Sequence, residues 1–511
     1  MQVPLTINDF LQRGERVYPD RVAIVDEPQQ PAESWGTLTY RAMAQRARAF
    51  GAGLDALGIA PGERVAMVSH NSARLLTALF GVSGSGRILV PINYRLVAEE
   101  VQYIVEHSGA RMLLVDPELE TALAHVTCER KLVIGTATDA ATMKPGVAPK
   151  PWTPDENATA TINYTSGTTA RPKGVQLTHR NLWLNAAVFG WHLGVSDRDV
   201  YLHTLPQFHC NGWGMPYAVS AMGGKHIILR KVDGGEILRR IDEHGVTVMC
   251  GAPVVLNMVL DAAQHWDGPI PGKGRVRIVV AGAPPPTRTI ERCETVLGWE
   301  FIQIYGLTET APLLTMNRRR AEYDDLTPSE RAQKLGRAGA PVVGCTLETS
   351  AEGEIKARAN MVMTGYWEQP EATSRVIRDG FFHTGDGGTI DDDHYAVITD
   401  RKKDVIISGG ENVSSIEVED VLFKHPEITE VAVIGIPDEK WGELVTALVV
   451  KDAESELTED HVIAFSREHL AGYKCPKRVE FRQALARTAT GKLQKFKLRA
   501  PYWKGHDKQI N

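Results

Sequence analysis

The sequence predicts an α/β protein that consists of a large N-terminal part and a small C-terminal part. Three observations support this prediction: the length of 511 residues, the alternation of helical and strand-like segments up to Ala340, and a change of pattern after that residue. A chain of this length exceeds what one hydrophobic core usually supports, so about three units are expected. Repeated alternation of strand and helix is typical of α/β folds with largely parallel sheets.

The predicted elements of the N-terminal part begin with a helix at Tyr40–Leu57, which has apolar residues at helical spacing and ends at Gly58. Arg64–Ser69 is a buried-strand candidate, Asn71–Ser83 is again helical, and Ile88–Pro91 is again strand-like. The alternation continues in strand-like segments at Val200–Leu205, Lys225–Leu229, Val246–Gly251 and Val276–Ala281.

After Ala340, short strand-like segments are separated by Gly and Asp turns, as in Asp379–Asp386. This pattern predicts a distorted β-barrel or a third sheet beside the two βα sheets. A charged turn at Asp400–Asp404 then precedes a compact α+β segment. We therefore expect an N-terminal domain at residues 1–400, a hinge at 401–404 and a C-terminal mobile domain at 405–511. The predicted elements of that last domain are helices at Ser415–His425 and Glu459–Leu470 and strands at Ile428–Ile434 and Leu444–Val450.

The composition is that of an ordinary globular protein, with 43% hydrophobic and 23% charged residues. The net charge of −6 argues against general nucleic-acid binding. Six scattered cysteines with no C-x-x-C pair favour a reducing compartment. The N-terminus has no apolar signal region, and no run approaches the ~20 apolar residues that cross a bilayer. The sequence therefore predicts a soluble, cytoplasmic protein with no transmembrane segment.

Residues 165–174, with the sequence TSGTTARPKG, are the most informative stretch of the chain. Small and hydroxylated residues followed by Pro172 and Lys173 suit a loop that wraps backbone N–H groups around an anion. A solvated surface loop is the ordinary interpretation of such a composition. Strand-like segments on both sides, Ala160–Tyr164 and Gly174–His179, favour a phosphate-binding hairpin instead.

Four further motifs carry polar groups that suit nucleotide chemistry, and each is a weak signal alone. Tyr305–Thr310 follows the strand-like Phe301–Ile304, and ligand sites of α/β proteins usually lie where strands end. His383–Asp386 places a carboxylate after a Gly turn, which suits ribose hydroxyls or a turn cap. Ser408–Asn412 is a second Gly loop, and Arg487–Lys492 has the composition of a mobile basic tail.

The order of these motifs along the chain resembles the adenylate-forming superfamily, which includes acyl-CoA synthetases, firefly luciferase and the adenylation domains of peptide synthetases. The resemblance covers essentially the whole chain: TSGTT with Lys-Gly, then YGLTE, TGD, DRKKD with SGGEN, and finally TGK. Within the superfamily, Phe208–Trp213 and the insertion Asn317–Gly339 are similar to medium-chain and related acyl-CoA synthetases.

The resemblance implies an ATP-dependent acyl-CoA synthetase that uses ATP, Mg²⁺ and CoA. A hydrophobic carboxylic acid would attack the α-phosphate of ATP, release pyrophosphate and form an acyl-adenylate, from which CoA displaces AMP. The N-terminal domain, with three subdomains, would carry the adenylation site, and the C-terminal domain would rotate between the two steps. Three alternatives stay open: an adenylating enzyme that loads an acyl carrier protein, a catalytically silent nucleotide-binding homologue, and a luciferase-like oxygenase. A homodimer stays open too, and the acid is not identified.

The resemblance also implies the residues of the nucleotide site. The β- and γ-phosphates would be held by Thr165, Ser166, Gly167, Thr168, Thr169 and Lys173. The ring of Tyr305 would stack on one face of the adenine, and Gly282, Ala283 and Pro284 would form the opposite wall. Gln303 and Gly306 would complete the site.

The reacting phosphate and the ribose have implied partners as well. Thr308 would contact the α-phosphate, and Glu309 would be the Mg²⁺ ligand. Asp386 would chelate both ribose hydroxyls, with Arg401 assisting.

Lys492 is implied to be the catalytic lysine of the first step, and Lys403 the hinge position of the domain rotation. One ammonium that bridges the α-phosphate and the attacking carboxylate would stabilise the transition state by ~3 kcal/mol or more. The residues implied to bind CoA are Ser408, Gly409, Gly410, Trp441 and Lys474. For the basic segment that contains Lys474, a solvated surface is the ordinary interpretation.

The acyl pocket is implied to lie beside the adenylation site, with the helix Trp183–His192 behind it. His209 would be an aromatic gate between this pocket and the CoA tunnel, although an aromatic-flanked histidine is more often a packing residue. Small residues at positions 282 and 306 are expected to leave room for a sizeable acyl group. The full set of expected lining residues is His209, Trp213, Val254, Gly282, Gly306 and Leu307.

Overall fold

The computed structural model describes residues 1–165, 171–401, 404–408, 411–438, 441–452, 454–488, 491 and 493–504, with only the backbone at 400, 401 and 412. The helices are α1 (Asn8–Val17), α2 (Tyr40–Ala56), α3 (Ala73–Gly81), α4 (Ala98–Ser108), α5 (Thr136–Thr142), α6 (His179–Leu193), α7 (Met215–Met222), α8 (Gly234–His244), α9 (Pro253–Ala263), α10 (Thr287–Arg292), α11 (Pro328–Leu335), α12 (Pro370–Val376), α13 (Ser415–Phe423), α14 (Glu459–His469) and α15 (Lys495–Arg499).

The strands alternate with these helices, as the sequence predicts. They are β1 (Val22–Val25), β2 (Thr37–Thr39), β3 (Arg64–Val68), β4 (Ile88–Ile92), β5 (Ala110–Val115), β6 (Arg130–Val133), β7 (Thr159–Thr165), β8 (Lys173–Thr178), β9 (Val200–His203), β10 (Lys225–Ile228), β11 (Val248–Gly251), β12 (Arg277–Val280), β13 (Glu300–Gly306), β14 (Leu313–Asn317), β15 (Ala340–Pro341), β16 (Cys345–Thr349), β17 (Glu354–Ala359), β18 (Gly365–Tyr366), β19 (Ile377–Arg378), β20 (Phe381–Ile390), β21 (Ala396–Arg401), β22 (Ile406–Ser408), β23 (Glu411–Val413), β24 (Ile428–Asp438), β25 (Gly442–Lys451) and β26 (Arg478–Phe481).

The first sheet has the strand order β15-β14-β13-β12-β11-β9-β10-β1-β2. Its centre is parallel from β1 through β10, β9, β11 and β12 to β13, and antiparallel strands lie at both edges. Because the central strands run in one direction, the loops that follow β9, β11, β12 and β13 emerge at the same edge. That edge is where a ligand site of an α/β protein is expected.

The second sheet has the order β18-β8-β7-β4-β3-β5-β6 and is parallel except where β8 pairs with β7 and with β18. The predicted Gly-rich hairpin is confirmed, because β7 and β8 pair antiparallel from Thr159 to Thr165. The short strand β18 comes from far along the chain and covers the outer edge of β8, with Tyr366 opposite Val175. This pairing brings a distant segment beside the phosphate-loop hairpin.

The third sheet is open. It has the order β16-β17-β20-β19, with β21 beside β20, and all of its pairs are antiparallel. Of the two shapes that the sequence allows here, the structure has the sheet, and the described strands form no closed barrel.

The fourth sheet belongs to the C-terminal part and has the order β23-β22-β25-β24, with β26 beside β25. Strand β24 extends beyond the predicted end at Ile434, because it pairs with β25 as far as Asp438 opposite Gly442. The C-terminal part has a hydrophobic core of its own, in which Val433, Val445 and Val449 are fully buried.

Local sequence signals explain where the helices begin and end. The Thr39, Ser72 and Thr178 side chains accept a backbone N–H at the start of α2, α3 and α6, which satisfies one of the unpaired donors of each helix. Gly109 and Gly194 end α4 and α6 in the left-handed conformation that glycine adopts without penalty. In the part of the chain that the structure describes, no helix has the length and apolarity needed to cross a bilayer.

Candidate active site

The hairpin that is predicted to bind phosphate brings Lys173 to a buried aromatic ring. Thr165, at the end of β7, pairs with Lys173, at the start of β8. The Lys173 ammonium lies 4.8 Å from the centroid of the Tyr366 ring, a distance that allows a cation–π interaction. Four other residues predicted for this loop lie outside the described residues, namely Ser166, Gly167, Thr168 and Thr169.

The other end of Tyr366 contacts the predicted metal ligand. The Tyr366 hydroxyl donates to Oε1 of Glu309 at 2.9 Å. Burial raises the pKa of this hydroxyl, and the charge of the Glu309 carboxylate raises it further, so the phenol stays a proton donor. Tyr366 therefore connects Lys173 to Glu309, a relationship for which the sequence gives no local signal.

Glu309 itself is held by the backbone around it. It lies in a turn of 3-10 helix after β13, and the Met363 N–H donates to its carbonyl oxygen at 2.7 Å. No group of three metal-ligating side chains occurs in the described ranges. Mg²⁺ is commonly bound by one or two carboxylates together with substrate phosphates, so a single glutamate beside a phosphate loop fits that ion.

Tyr305 and Asp386 meet at the junction of the first and third sheets. The Tyr305 hydroxyl donates to Oδ2 of Asp386 at 2.8 Å. Asp386 is buried on β20, where its N–H donates to Oγ1 of Thr384 and its backbone lies opposite Arg401 of β21. The Arg401 side chain lies outside the described part. The two residues predicted for adenine and ribose are therefore neighbours.

The predicted adenine wall follows β12. Gly282 has φ +93° and is exposed, and the space where a Cβ atom would lie is open to 4 Å. Ala283 is half-buried and Pro284 is exposed. Gln303, on the neighbouring strand β13, is buried, and its Oε1 atom has no hydrogen-bond partner among the described residues. A buried acceptor without a partner is costly, so this atom suits a donor on a bound ligand.

His209 begins a strained turn. The next four residues, Cys210–Trp213, all have positive φ between 45° and 60°, although three of them are not glycine. Left-handed backbone costs such residues ~1–2 kcal/mol each, so other contacts must hold it. Asn211 supplies them, because its side-chain amide donates to Oγ1 of Thr161 at 3.0 Å and its oxygen accepts from Asn163 at 3.3 Å. The turn is thereby tied to β7, the strand that leads into the phosphate loop.

The predicted acyl-pocket residues differ in how deeply they are buried and in what they contact. Trp213 is buried, and its carbonyl oxygen accepts from the Asn185 side chain of α6 at 3.1 Å. Leu307 and Val254 are half-buried. At Gly306 the space on the Cβ side is closed, because a Cβ atom there would lie 1.6 Å from the carbonyl oxygen of Pro312. The backbone itself fills that space.

Lys492, the predicted catalytic lysine, lies outside the described residues, as do Lys403, the predicted hinge residue, and Gly409 and Gly410, which are predicted to bind CoA. Gly491, the residue before Lys492, is described. It has φ +84°, and a Cβ atom there would lie 2.2 Å from Cγ1 of Val254. Gly491, directly before Lys492, therefore contacts Val254 near the start of α9.

The residues predicted for CoA binding lie in the C-terminal part, and one of them, Lys474, forms an ion pair there with a neighbouring carboxylate. Its ammonium donates to both carboxylate oxygens of Glu417, at 2.7 and 2.8 Å, and this hydrogen bonding raises the Lys474 pKa. Ser408 is buried and lies opposite Gly442. The ring of Trp441 has the Lys477 ammonium 5.2 Å from its centroid. Lys477 is thus a basic residue beside Trp441, which is predicted to bind CoA.

Two protein-family models match most of the chain. The family model described as AMP-binding enzyme matches residues 11–367, and the model described as AMP-binding enzyme C-terminal domain matches residues 417–492. The chain is 36% identical to the 2-methylpropanoate–CoA ligase CCL4 of Humulus lupulus, over 97% of this chain and 95% of that protein.

Two solved structures are similar over nearly their whole length. The anthranilate CoA ligase AuaEII in complex with anthranoyl-AMP has a TM-score of 0.87 and 26% identity, covering 98% of this chain and 99% of that one. ATP-bound MatB from Rhodopseudomonas palustris has a TM-score of 0.83 and 29% identity, covering 97% and 99%.

Proposed function

Because the chain belongs to the AMP-binding enzyme family, we propose that it activates a hydrophobic carboxylic acid with ATP and Mg²⁺ and transfers the acyl group to CoA. It is an acid–thiol ligase of the AMP-forming type. In the first step, a carboxylate oxygen of the acid attacks the α-phosphorus of ATP, pyrophosphate leaves, and an acyl-adenylate forms. In the second step, the CoA sulfur attacks the acyl carbon, the bond to the phosphate oxygen breaks, and AMP leaves.

The observation that carries the proposal is the approach of Lys173 and Glu309 to one buried ring, that of Tyr366. A cation and a carboxylate that contact the same side chain suit the phosphates of a nucleoside triphosphate and the Mg²⁺ ion that accompanies them. Lys173 would neutralise the departing pyrophosphate, and Glu309 would hold Mg²⁺, which offsets phosphate charge. Tyr366 keeps both side chains oriented before the nucleotide arrives.

The nucleoside would occupy the edge of the first sheet. Tyr305 would stack on the adenine opposite Gly282, Ala283 and Pro284, and its hydroxyl already contacts the carboxylate of Asp386. That carboxylate would accept hydrogen bonds from both ribose hydroxyls. The buried, unpartnered Oε1 of Gln303 supports a place for the adenine amino group, which is a donor.

The α-phosphate would be contacted by Thr308 and by Lys492. We propose that Lys492 bridges the α-phosphate and the attacking carboxylate. The contact of Gly491 with Val254 supports this role, because it holds the residue before Lys492 against the start of α9, which follows β11 of the first sheet. The domain division at 1–400 and 405–511, with Lys403 in the hinge at 401–404, is part of the same proposal.

The acyl pocket is proposed to be lined by His209, Trp213, Val254 and Leu307 beside the open space at Gly282. These side chains are mainly apolar and offer no fixed positive charge for a second carboxylate. The relatives reported above act, by their names, on 2-methylpropanoate and on anthranilate, so aliphatic and aryl monocarboxylates are the first acids to consider. All six cysteines are free thiols, which suits a reducing compartment, and we propose the cytoplasm.

The experiment is a pyrophosphate-release screen of the purified protein with ATP, Mg²⁺ and a panel of aliphatic, aryl and terpenoid acids. Each acid is supplied with CoA, with a phosphopantetheinylated carrier protein, or with neither acceptor. We expect acid-dependent pyrophosphate release and an acyl-CoA product identified by mass spectrometry. Absence of release with every acid would contradict adenylation, and acyl transfer to the carrier but not to CoA would contradict the CoA ligase.

A further inference from the structure

A carboxylate of the C-terminal part is bonded to the helix that follows the proposed adenine wall. Oδ1 of Asp420, on α13, accepts the Thr287 backbone N–H at 2.9 Å and the Thr287 hydroxyl at 3.2 Å. Thr287 is the first residue of α10, and the preceding Pro286 offers no side-chain cap. Asp420 therefore satisfies a helix donor that no residue nearby in sequence satisfies.

A second hydrogen bond joins the same two regions, and its donor is the next residue of α10. Nη1 of Arg288 donates to the carbonyl oxygen of His425, just beyond the end of α13, at 3.3 Å. The other carboxylate oxygen of Asp420, Oδ2, lies 3.4 Å from the ammonium of Lys424, which lies one helical turn further along. The two contacts attach the start of α10 to the last turn of α13.

The position of this attachment relates it to the first half-reaction. The proposed adenine wall Gly282–Pro284 lies in the short loop between β12 and α10, and Thr287 begins α10 directly after that loop, so the attachment holds the end of the loop. The same arrangement brings Gly491 against Val254. A rotation of the C-terminal part would separate Asp420 from Thr287 and His425 from Arg288, because each donor is in the N-terminal part and each acceptor in the C-terminal part.

We propose that Asp420 and Thr287 form a latch that selectively stabilises the arrangement in which the adenylate is made. This inference rests on the proposed function, since it assigns the arrangement to the first of its two steps. Asp420 is a positioning residue, not a catalytic one, because it contacts α10 and not the nucleotide. The latch biases the equilibrium between two arrangements, and its loss shifts that equilibrium towards thioester formation.

The size of the expected shift follows from the chemistry of the bond. Asp420 keeps 31% of its side-chain surface exposed, so solvent competes with Thr287 for the carboxylate. A net contribution in the range of ordinary hydrogen bonds corresponds to a change of about fivefold in the ratio of the two arrangements. The two half-reactions are then expected to change in opposite directions, which a general loss of stability would not produce.

The test compares Asp420→Ala and Thr287→Val with the wild type and with Glu468→Ala, a control carboxylate exposed on α14. Each protein is assayed for acid-dependent ATP–pyrophosphate exchange and for thioester formation from supplied acyl-adenylate. Amide hydrogen exchange of residues 282–292 is followed without substrates. Thr287→Val keeps the backbone donor and removes only the hydroxyl, so its effect should be the smaller one.

We expect the ratio of exchange to thioester formation to fall about fivefold in Asp420→Ala, with faster amide exchange at 287–292, and to stay unchanged in Glu468→Ala. An unchanged ratio, or the same fall in Glu468→Ala, would overturn the latch. If Asp420→Ala does not fold, Thr287→Val decides: a fall in its ratio that Glu468→Ala does not show supports the latch, and an unchanged ratio overturns it. A wild type that releases no pyrophosphate would defeat the proposed function instead, and amide exchange would still decide whether the latch exists.

Discussion

The hydroxyl of Tyr366 lies 2.9 Å from Oε1 of Glu309, and it is the only bond that a described side chain makes to that carboxylate. The same ring lies under the Lys173 ammonium. Glu309 follows β13 of the first sheet, whereas Lys173 begins β8 of the second. Tyr366 lies on β18 at the edge of the second sheet. It contacts both the Lys173 ammonium and the Glu309 carboxylate and so orients them relative to each other.

Replacing the Tyr366 hydroxyl is expected to disturb the metal ligand and to spare the phosphate-loop lysine. Tyr366→Phe keeps the ring under Lys173 and removes the donor to Glu309. A hydrogen bond to a charged group contributes ~1.5–3 kcal/mol, so we expect at least a tenfold slower pyrophosphate exchange and a higher Mg²⁺ requirement. The measurement is exchange rate against Mg²⁺ concentration. Tyr366→Leu, which also loses the cation–π contact, should be slower still, and a Mg²⁺ dependence equal to wild type would refute the role of the hydroxyl.

Removal of the Lys492 charge is expected to separate the two half-reactions. Lys492→Ala should lower adenylation by ~100-fold or more, as is usual when a group that stabilises developing charge is deleted. Thioester formation from supplied acyl-adenylate should be retained, because that step needs no charge at the α-phosphate from this residue. Lys497→Ala, a lysine on α15, is the matched control. Wild-type exchange in Lys492→Ala would show that another residue supplies the charge.

A side chain at position 306 is expected to destabilise the fold and not merely to narrow a pocket. In Gly306→Ala the new methyl group would meet the Pro312 carbonyl oxygen, which belongs to the backbone and cannot rotate away. We expect a loss of about 3 kcal/mol in unfolding free energy, as for overpacking in a rigid environment. Thermal unfolding measures it. Gly472→Ala, at an exposed glycine with open space around it, should unfold like the wild type.

Two buried histidines are expected to make stability depend on pH. Nε2 of His203 lies 3.0 Å from Nδ1 of His226, and both rings are buried. Burial lowers the pKa of His226 to about 3 and that of His203 well below its usual value. The unfolded chain therefore binds more protons below about pH 6.5, so stability is full above that pH and falls as the pH drops towards 3.

The expected slope is up to about 1.4 kcal/mol per pH unit for each histidine. Urea unfolding at a series of pH values between 7.5 and 4.5 (about the range that histidine titration covers) gives this slope. His226→Gln keeps a polar side chain for the Ser220 hydroxyl, which lies 3.0 Å from His226. It should flatten the dependence, and an equal slope in the variant and the wild type would exclude the pair as its source.

The local elements of this fold follow closely from the sequence. The helix expected at Tyr40–Leu57 extends over Tyr40–Ala56, and the hairpin expected around residues 165–174 joins β7 and β8. Apolar periodicity and capping residues act over a few residues, so the chain itself carries these signals. The order of strands in each sheet was not predicted, because it depends on contacts between segments far apart in sequence.

The same distinction holds within the candidate site. Tyr305, Glu309 and Asp386 were named from motifs, and each lies beside the edge of the first sheet or in contact with it. Tyr366 and Asp420 were not named, because an isolated tyrosine and an exposed aspartate have no local pattern that distinguishes them. Their partners are fixed only when β18 pairs with β8 and when α13 packs near α10.

The sequence by itself determined the fold class and the family resemblance, and it named the side chains that are proposed to carry the chemistry, because residue type and spacing are local properties. Only the tertiary structure decided how Lys173 and Glu309 are coupled and why position 306 is glycine. The physical reason is close packing between segments that are far apart or fold back on each other. Such packing sets the 2.9 Å between the Tyr366 hydroxyl and Glu309, and it leaves no space for a Cβ atom at position 306, which would lie 1.6 Å from a carbonyl oxygen.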